Sequence, residues 1–399
     1  MSIITNEKKI EELLTRGVEE IIDREALKKA LLSGRQLRIK LGIDPTSPNL
    51  HLGRSVPLLK LRDFQELGHK IVFIVGDFTG VIGDTSDKDS ERPMLDAAVV
   101  KKNLRTYKQQ AGKILDIAKT EIYFNSKGLG KLRYQEIAEH ANIFSLSEFI
   151  ARENIRRRLD EGKRVSLREL LYPLMQGYDS VAVKADVEVG GTDQRFNLLA
   201  GRKMQEHFGM VPQDIVMNSL VEGTDGRKMS SSWGNTINFT DSPDEMFGKI
   251  MSIRDELIVK YFEYFTRVPI KEIEECKKAI AGGANPRDYK AKLARAIVAM
   301  YHSEKDAETA SAEFDRVHKE KLLPEEIAEY ALSAPTNIVD MLVASGLCVS
   351  KSDARRAIDG GGVRVGGKIV EDYGIIVNPD KEGIVVQKGK RGFVKVVKM

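Results

Sequence analysis

Apolar positions in the first 80 residues switch between helical and strand-like spacing. A three- to four-residue repeat of apolar side chains predicts a helix over residues 1–32. The next segments have strand, helix and strand patterns in turn, over residues 35–44, 56–68 and 69–77. A glycine and proline loop separates the first strand from the following helix. This order predicts a right-handed crossover in a parallel sheet, and therefore an α/β fold of Rossmann-like type.

The rest of the chain has longer helical stretches. Residues 95–180 are mostly helical in pattern, and a strand, a helix and a strand follow them over 186–191, 192–209 and 213–223. Apolar positions from 243 to 332 again have helical spacing. Residues 332–337, LSAPTN, form a predicted linker. Two short helices and a glycine-rich segment with strand patterns are predicted after it, so a small α+β module is expected at the end of the chain.

Composition and charge place the chain among globular proteins with a basic end. It has 399 residues, of which 42% are hydrophobic and 31% charged, with a net charge of +4. Residues 336–399 contain eleven Lys and Arg against seven Asp and Glu, so they carry an excess of four positive charges. This distribution favours a polyanionic partner for the last 64 residues.

Two further compositional features bear on location. The sequence contains no apolar run near the roughly 20 residues of a membrane span and no signal-peptide pattern at its start. Its two cysteines, Cys276 and Cys348, match no metal-ligand spacing. We therefore expect a cytoplasmic protein with no membrane partner, no DNA partner and no tightly bound metal.

A loop between the first strand and helix has the character of a phosphate site. His51 and Arg54 in the segment HLGR share one face of the helix start, and Gly53 between them allows close approach to the backbone. Pro57 suits a first helical turn, where free backbone amides and the helix dipole attract anions. Alone, the segment is more typical of an ordinary helix start with a solvated arginine.

A second loop favours the interpretation as a phosphate site. The segment DGRKMSSS, residues 225–232, joins a turn to one lysine, Lys228, and three serines. A mobile lysine and hydroxyl groups are typical partners of phosphate. The two segments, in this order, resemble the HIGH and KMSKS signatures of class I aminoacyl-tRNA synthetases.

Further motifs resemble one branch of that family, the bacterial tyrosyl-tRNA synthetases. Tyr172, Gln176 and Asp179 are spaced to form one polar stripe on a helix, which is unusual for buried positions. The segment EVGGTDQ, residues 188–194, follows it, and TGVIGDTSDKDSER, residues 79–92, is similar to a loop of the same enzymes. The resemblance covers essentially the whole chain. It departs from the family pattern at Lys40, Glu188 and Ser231.

The resemblance implies a role for each matching residue. Asp84, Tyr172 and Gln176 are expected at the tyrosine ammonium, and Asp179 at the phenol hydroxyl. The full tyrosine-binding set is Lys40, Thr79, Asp84, Tyr172, Gln176, Asp179, Glu188 and Gln194. The ATP-binding set is Gly42, Asp44, His51, Gly53, Arg54, Gly190, Gly191, Asp193, Lys228, Met229, Ser230, Ser231 and Ser232. The residues expected to act in catalysis are Thr46, His51, Arg54, Lys88, Arg92 and Lys228.

The end of the chain resembles a small RNA-binding module named after a ribosomal small-subunit protein, the S-four-like domain. Thr336 and Ser350 are predicted to cap its two helices. A basic face of this module is expected to bind the phosphates of tRNA(Tyr). Its residues are Lys351, Arg355, Arg356, Arg391 and Lys395. The basic stretch 152–169 is predicted either to meet the tRNA acceptor end or to form a solvated helix face.

Together these expectations describe an ATP-dependent tyrosine–tRNA ligase. Its domains are predicted as a Rossmann-like catalytic domain over 1–225 with a helical insertion at about 95–180, a loop and α-helical anticodon-side domain over 226–332, and an S-four-like domain over 336–399. Mg²⁺ is expected to arrive with ATP, and the family implies a homodimer through residues near 110–170. Two alternatives stay open: a catalytically inactive RNA-binding paralogue, and a synthetase for another aromatic amino acid.

Overall fold

The structure is a computed structural model that describes residues 2–84, 94–318, 327–379, 383–389 and 392–398. The chain divides into two compact units, Met1–Glu304 and Lys305–Met399. Each unit contains its own sheet and its own buried apolar core.

A six-stranded sheet forms the centre of the first unit. Its strands are β1 (Glu20–Ile22), β2 (Arg38–Ile43), β3 (Lys70–Val75), β4 (Glu121–Phe124), β5 (Val187–Gly191) and β6 (Asp214–Asn218). Their spatial order is β1-β6-β5-β2-β3-β4, and all neighbours are parallel except β1 and β6. The predicted Rossmann-like α/β fold with a parallel sheet is therefore confirmed.

Helices flank this sheet and then continue past it. They are α1 (Glu7–Thr15), α2 (Arg24–Leu32), α3 (Leu52–Glu66), α4 (Thr79–Ile82), α5 (Ala97–Ala111), α6 (Ser126–Leu129), α7 (Tyr134–Ala141), α8 (Leu146–Ile150), α9 (Glu153–Asp160), α10 (Leu167–Ala182), α11 (Arg195–His207), α12 (Pro243–Met251), α13 (Ile258–Phe265), α14 (Ile270–Ala281) and α15 (Pro286–Tyr301). The next helix, α16 (Glu304–His318), belongs to the second unit except for its first residue. The helical spacing predicted after residue 243 is thus present in the structure.

Two strands of this sheet lie where the sequence predicted only helix, and Glu329–Leu332, at the end of the helical stretch predicted to residue 332, forms a strand of the second unit. β1 interrupts the helix expected over 1–32, because Gly17 turns the chain at a φ of +63° and the following residues pair with β6. β4 interrupts the stretch expected to be helical over 95–180, where it extends the sheet alongside β3. Both strands are too short for local spacing to reveal them, and pairing across the sheet decides their conformation.

The carboxyl ends of four neighbouring strands bring polar positions to one edge of the sheet. Asp44 follows β2, Gly76 follows β3, Asn125 follows β4, and the turn Thr192–Gln194 follows β5. Helix α3 starts after the loop that follows β2. Ser166 and Glu169 form a capping box at the start of α10, which fixes where that helix begins. In open parallel sheets this edge is the usual place for a ligand.

The second unit is a small α+β module. Its strands are β7 (Glu329–Leu332), β8 (Thr336–Asn337), β9 (Val363–Val365), β10 (Lys368–Ile369), β11 (Ile376–Val377), β12 (Ile384–Lys388) and β13 (Gly392–Lys398), and two helices, α17 (Ile338–Ala344) and α18 (Lys351–Asp359), follow α16 in the chain. One sheet has the order β10-β9-β12-β13-β7, and β8 pairs with β11. The apolar side chains of these strands pack against those of α17 and α18.

Two details of this module differ from the sequence predictions. Both ends of the predicted linker 332–337 lie in strands, since β7 pairs in parallel with β13 and β8 pairs with β11, and residues 333–335 connect the two strands. The cap of α17 is Asn337, which accepts a hydrogen bond from the Val339 amide, and not Thr336. Thr336 lies in β8 instead, where its backbone is extended. Ser350 caps α18 as predicted, by accepting a hydrogen bond from the Asp353 amide.

Candidate functional site

A cleft of about 270 Å³ opens at the carboxyl ends of β2, β3 and β5. Twenty of the predicted site residues line it: Gly42, Asp44, Thr46, His51, Gly53, Arg54, Thr79, Asp84, Tyr172, Gln176, Asp179, Glu188, Gly190, Gly191, Asp193, Gln194, Lys228, Met229, Ser230 and Ser231. Residues from six separate segments of the sequence therefore meet in one place. Lys88, Arg92 and Arg391 lie outside the described residues, and Ser232 belongs to the short helical turn Ser231–Trp233.

Asp44 joins three elements in the middle of the cleft. Its Oδ1 accepts a hydrogen bond from Thr79 Oγ1 at 2.7 Å, and its Oδ2 accepts one from the Tyr172 hydroxyl at 2.8 Å. Burial raises the pKa of Asp44 to about 6, although both hydrogen bonds act to lower it. Gly76 supports this contact, because a Cβ there would overlap the Asp44 carboxylate. Sequence reasoning missed Gly76.

Asp179 lies at the inner end of the cleft with one carboxylate oxygen unsatisfied. Its Oδ2 accepts a hydrogen bond from Asn125 Nδ2 at 3.1 Å, while its buried Oδ1 has no hydrogen-bond partner among the described residues. Burial raises the pKa of Asp179 to about 7. A buried acceptor without a partner is costly, so this oxygen is suited to receive a donor from a ligand.

Asn125 is a site residue that sequence reasoning did not find. Its side chain donates to both Thr79 Oγ1 and Asp179, and its Oδ1 accepts from the Phe78 amide. It directly follows β4, the strand that the sequence analysis took for helix. Recognition of a parallel strand at 121–124 would have placed Asn125 at the ligand edge of the sheet.

Lys40 differs from its expected place, since it does not line the cleft. It sits beneath the cleft, where Nζ forms an ion pair with Glu188 Oε1 at 3.1 Å, and both side chains are 1% exposed. Gln176 Nε2 donates to the same Glu188 oxygen at 3.0 Å. The ammonium group of Lys40 is thus engaged inside the protein, and its membership of the tyrosine-binding set stays a prediction.

The three groups expected at an ammonium ion line the cleft but bind different partners. Asp84 accepts a hydrogen bond from Gln194 Nε2 at 2.7 Å. Tyr172 donates to Asp44, and Gln176 donates to Glu188. All three still line one cavity together with Thr79.

The opposite end of the cleft contains the start of α3 and the loop with Lys228. His51 precedes α3, and its buried Nδ1 has no hydrogen-bond partner among the described residues. Burial, reinforced by the positive charges of Arg54 and Lys228, lowers the pKa of His51 to about 3. The imidazole is therefore neutral at pH 7. Lys228 Nζ forms an ion pair with Asp193 at 3.0 Å.

Close packing joins the two predicted phosphate segments. The Gly53 amide lies 3.1 Å from Met229 Sδ, and a Cβ at Gly53 would lie 3.1 Å from the His51 ring. The absence of a side chain at position 53 thus lets the helix start approach the Lys228 loop.

One buried side chain holds the Lys228 loop in shape. Asn235 donates to Asp225 Oδ1 at 2.7 Å and to the Lys228 carbonyl at 3.0 Å, and it accepts from the Ser230 amide at 2.8 Å. Asn235 was not predicted from the sequence, because no local pattern distinguishes an asparagine whose hydrogen bonds stabilise its own loop.

Basic residues outside the cleft have mixed environments. In the second unit Lys351, Arg355 and Arg356 are exposed, and Lys351 pairs with Asp340 at 2.7 Å. Lys395 lies on β13, 3.9 Å from Glu329. In the stretch 152–169, predicted to meet the tRNA acceptor end or to form a solvated helix face, Arg158 is buried and bidentate to Glu169, so this side chain does not lie on the surface.

Metal-ligand clusters and membrane-spanning helices are both absent from the described residues. Within the ranges that the structure describes, no group of three or more His, Cys, Asp or Glu side chains is placed to share a metal ion. No helix among the described residues is long and apolar enough to cross a membrane.

Comparisons with known proteins agree with this arrangement. Residues 32–319 match the family model of class I tRNA synthetases (W and Y), and residues 338–382 match that of the S4 domain. The chain is similar to the tyrosine–tRNA ligase of Carboxydothermus hydrogenoformans, with 45% identity over 97% of each chain. It is also similar to that of Thermotoga maritima, with 44% identity over 96% of each chain.

A solved structure gives the same fold. The tyrosyl-tRNA synthetase from Archaeoglobus fulgidus, complexed with L-tyrosine, has a TM-score of 0.62 at 24% identity and covers 77% of this chain and 100% of its own. The resemblance predicted from the two signature segments is confirmed. The chain belongs to the class I tRNA synthetase family of W and Y enzymes and ends in an S4 domain.

Proposed function

We propose that this chain is a tyrosine–tRNA ligase. It activates L-tyrosine with ATP and then transfers the tyrosyl group to the 3′-terminal adenosine of tRNA(Tyr). The unsatisfied Oδ1 of Asp179 carries the proposal, because it is a buried acceptor at the inner end of a cleft whose other end has the character of a phosphate site. The tyrosine–tRNA ligases that are 44–45% identical over nearly the full chain support the same assignment.

The tyrosine substrate occupies the inner end of the cleft. Its phenol hydroxyl donates to Asp179 Oδ1, and its ammonium group lies near Asp84, Tyr172, Gln176 and Thr79. Phenylalanine has no hydroxyl, so its binding would leave the buried Asp179 oxygen without a partner. This loss favours tyrosine over phenylalanine.

ATP occupies the outer end. Asp44, Gly42 and the segment 190–194 lie on the ribose and adenine side, and Thr46, His51 and Lys228 on the triphosphate side. Gly190 and Gly191 line this side of the cleft, and their lack of a side chain makes room for Leu198 and for the Asp193 carboxylate, since a Cβ would lie 3.1 Å from the first and would overlap the second. Mg²⁺ enters with ATP as part of the substrate and neutralises phosphate charge.

The activation step needs no general base. The tyrosine carboxylate is already ionised at pH 7, and it attacks the α-phosphorus of ATP. A new bond forms between carboxylate oxygen and phosphorus, the bond to the bridging oxygen breaks, and pyrophosphate leaves. Neutral His51 donates a hydrogen bond and Lys228 supplies positive charge as the phosphates rearrange, so the protein contributes positioning and charge stabilisation.

The second unit binds the tRNA in this proposal. Its exposed basic residues on α18, with Lys395 on β13, match what phosphate-backbone recognition requires. The transfer step then places the tyrosyl group on the terminal adenosine and releases AMP.

The proposal includes a homodimer in the cytoplasm. Tyr134, Leu146 and Leu167 are 89%, 60% and 77% exposed in the insertion, and a small apolar groove between Leu132 and Leu171 lies in the same part of the chain. Large apolar side chains at this exposure favour contact with a second copy. The free thiols of Cys276 and Cys348 agree with a reducing compartment.

ATP–pyrophosphate exchange tests the function directly. We expect exchange that depends on tyrosine and is far slower with phenylalanine or tryptophan. Exchange with another aromatic acid in preference to tyrosine would support the alternative specificity. No exchange with any amino acid, together with retained tRNA binding, would support an inactive RNA-binding paralogue.

A further inference from the structure

A buried ion pair lies directly under the tyrosine end of the cleft. Lys40 on β2 and Glu188 on β5 occupy paired positions in neighbouring parallel strands, so their side chains leave the sheet on the same face. The two charged groups are 3.1 Å apart and 1% exposed. Removing one partner of such a pair leaves an uncompensated buried charge, which makes the pair strongly interdependent.

This pair binds helix α10 on both sides of Asp179. Lys40 Nζ donates to the Gln176 carbonyl at 3.0 Å and to Ser180 Oγ at 2.6 Å. Glu188 accepts from Gln176 Nε2 at 3.0 Å and from Ser180 Oγ at 3.3 Å. The helical turn that contains Asp179 is therefore fixed to the sheet by two side chains of opposite charge.

Glu188 has one more buried partner, which keeps it in place. Gln213 Nε2 donates to Glu188 Oε2, and the Gln213 amide donates to Gln205 Oε1 at 2.7 Å. Gly201 makes room for this network, since a Cβ there would lie 2.5 Å from Gln213 Nε2 and 2.8 Å from Ser180 Oγ. The network is buried and hydrogen-bonded, and its ion pair has little freedom to rearrange.

The two charges act on Asp179 in opposite directions. Burial raises the pKa of Asp179, the positive charge of Lys40 lowers it, and the negative charges of Glu188 and Asp44 raise it. Tyr123 on β4 and Tyr172 on α10 are the other titratable groups that interact with Asp179. Among them Lys40 is the one cation.

We propose that Lys40 and Glu188 are positioning residues for tyrosine recognition, which together hold Asp179 in place and set its charge without touching the substrate. This inference rests on the proposed function, since it assigns the phenol hydroxyl to Asp179. Lys40 favours the ionised form of the Asp179 carboxylate, which accepts a hydrogen bond from the phenol hydroxyl. The negative charge of Glu188 opposes the effect of Lys40 on the charge of Asp179. Its hydrogen bond with Gln176 orients that side chain at the cleft.

The pH dependence of tyrosine binding distinguishes this role from simple structural support. Tyrosine affinity is measured by calorimetry from about pH 5.5 to about pH 8.5, below the titration of the substrate's own amine and phenol. Lys40→Met removes the cation, so the midpoint of the affinity profile should rise by about one pH unit. Glu188→Gln removes an anion, so its midpoint should fall by a similar amount. The double variant should lie between the two.

Controls separate charge from packing. Lys40→Arg keeps the charge and should leave the midpoint in place. Lys60 is a second buried lysine, whose Nζ binds the Leu13 and Arg16 carbonyls on and just after α1. Lys60→Met should lower the unfolding temperature without moving the midpoint.

Each variant has its own expected direction, so any one that folds is decisive. Shifts of Lys40→Met and Glu188→Gln in the same direction, or no shift in either, would overturn the inference while leaving the proposed function intact. Absence of tyrosine binding by the unmodified chain would overturn both.

Discussion

Asp179 is the single residue on which substrate choice depends most. Replacing it with Asn keeps the volume and removes the negative charge, so the hydrogen bond from the phenol weakens. A hydrogen bond to a charged group contributes roughly 1.5–3 kcal/mol, so we expect KM for tyrosine to rise about 10- to 100-fold. KM for ATP should change little, because Asp179 lies at the opposite end of the cleft from His51 and Lys228. Steady-state exchange kinetics measure both constants, and an unchanged KM for tyrosine would contradict the assignment.

The raised pKa of Asp179 also links stability to pH. Its pKa of about 7 in the folded chain is above that of an exposed carboxyl, so the folded state holds the proton more tightly than the unfolded state. The stabilisation is complete below the unfolded pKa and is lost as the pH rises through about 7. Without tyrosine, the free energy of unfolding should therefore fall between about pH 5 and pH 8 by more than it does for Asp179→Asn. Denaturant titrations of both proteins measure this difference, and equal slopes against pH would refute it.

At the scale of elements, the Lys228 loop depends on Asn235. Asn235→Ala removes its hydrogen bonds to Asp225, Lys228 and Ser230, so the loop loses its fixed shape. We expect KM for ATP to rise about tenfold or more, since each lost buried hydrogen bond costs about 1 kcal/mol, while tyrosine affinity stays unchanged. Ser252→Ala is a matched control, because Ser252 Oγ binds only the Lys249 carbonyl on an exposed surface. Equal losses in ATP and tyrosine affinity would show general damage to the fold instead.

Elements with strong periodicity could be predicted from the sequence, and those that depend on pairing could not. The apolar runs of β2 and β3 and the polar stripe of α10 are local signals for these elements, while the family resemblance implied that Asp44, Tyr172 and Asp179 share one site, and all three line the cleft. β1 and β4 are short, and sheet pairing creates them. The consequence was functional as well as structural, because Asn125 was missed together with β4.

The pairing of buried charged residues also could not be predicted from sequence patterns. The family resemblance placed Lys40 in the tyrosine-binding set, and in the structure it pairs with Glu188 across two neighbouring parallel strands that are far apart in the sequence. Arg158 was expected on a basic face, yet it is buried against Glu169. Both cases depend on which side chains the tertiary fold brings together.

At the scale of the whole molecule, the proposal separates activation from tRNA binding. The cleft and all its described lining residues lie in the first unit, and the exposed basic residues of α18 lie in the second. Deleting residues 327–399 should leave the rate of tyrosine-dependent exchange within about twofold and reduce tRNA charging by at least about tenfold, since phosphate contacts supply much of RNA affinity. Charging by the full chain should also weaken as salt rises. Equal loss of exchange and charging after the deletion would contradict the separation.

The most direct test of the account is a crystal structure of the chain with tyrosine and a non-hydrolysable ATP analogue. The account predicts the phenol oxygen within hydrogen-bond distance of Asp179 Oδ1, about 2.5–3.0 Å, and the phosphates between His51 and Lys228. It also predicts that the Lys40–Glu188 pair stays closed beneath the ligand. A phenol bound by Lys40, or phosphates placed at the Asp179 end, would contradict the account.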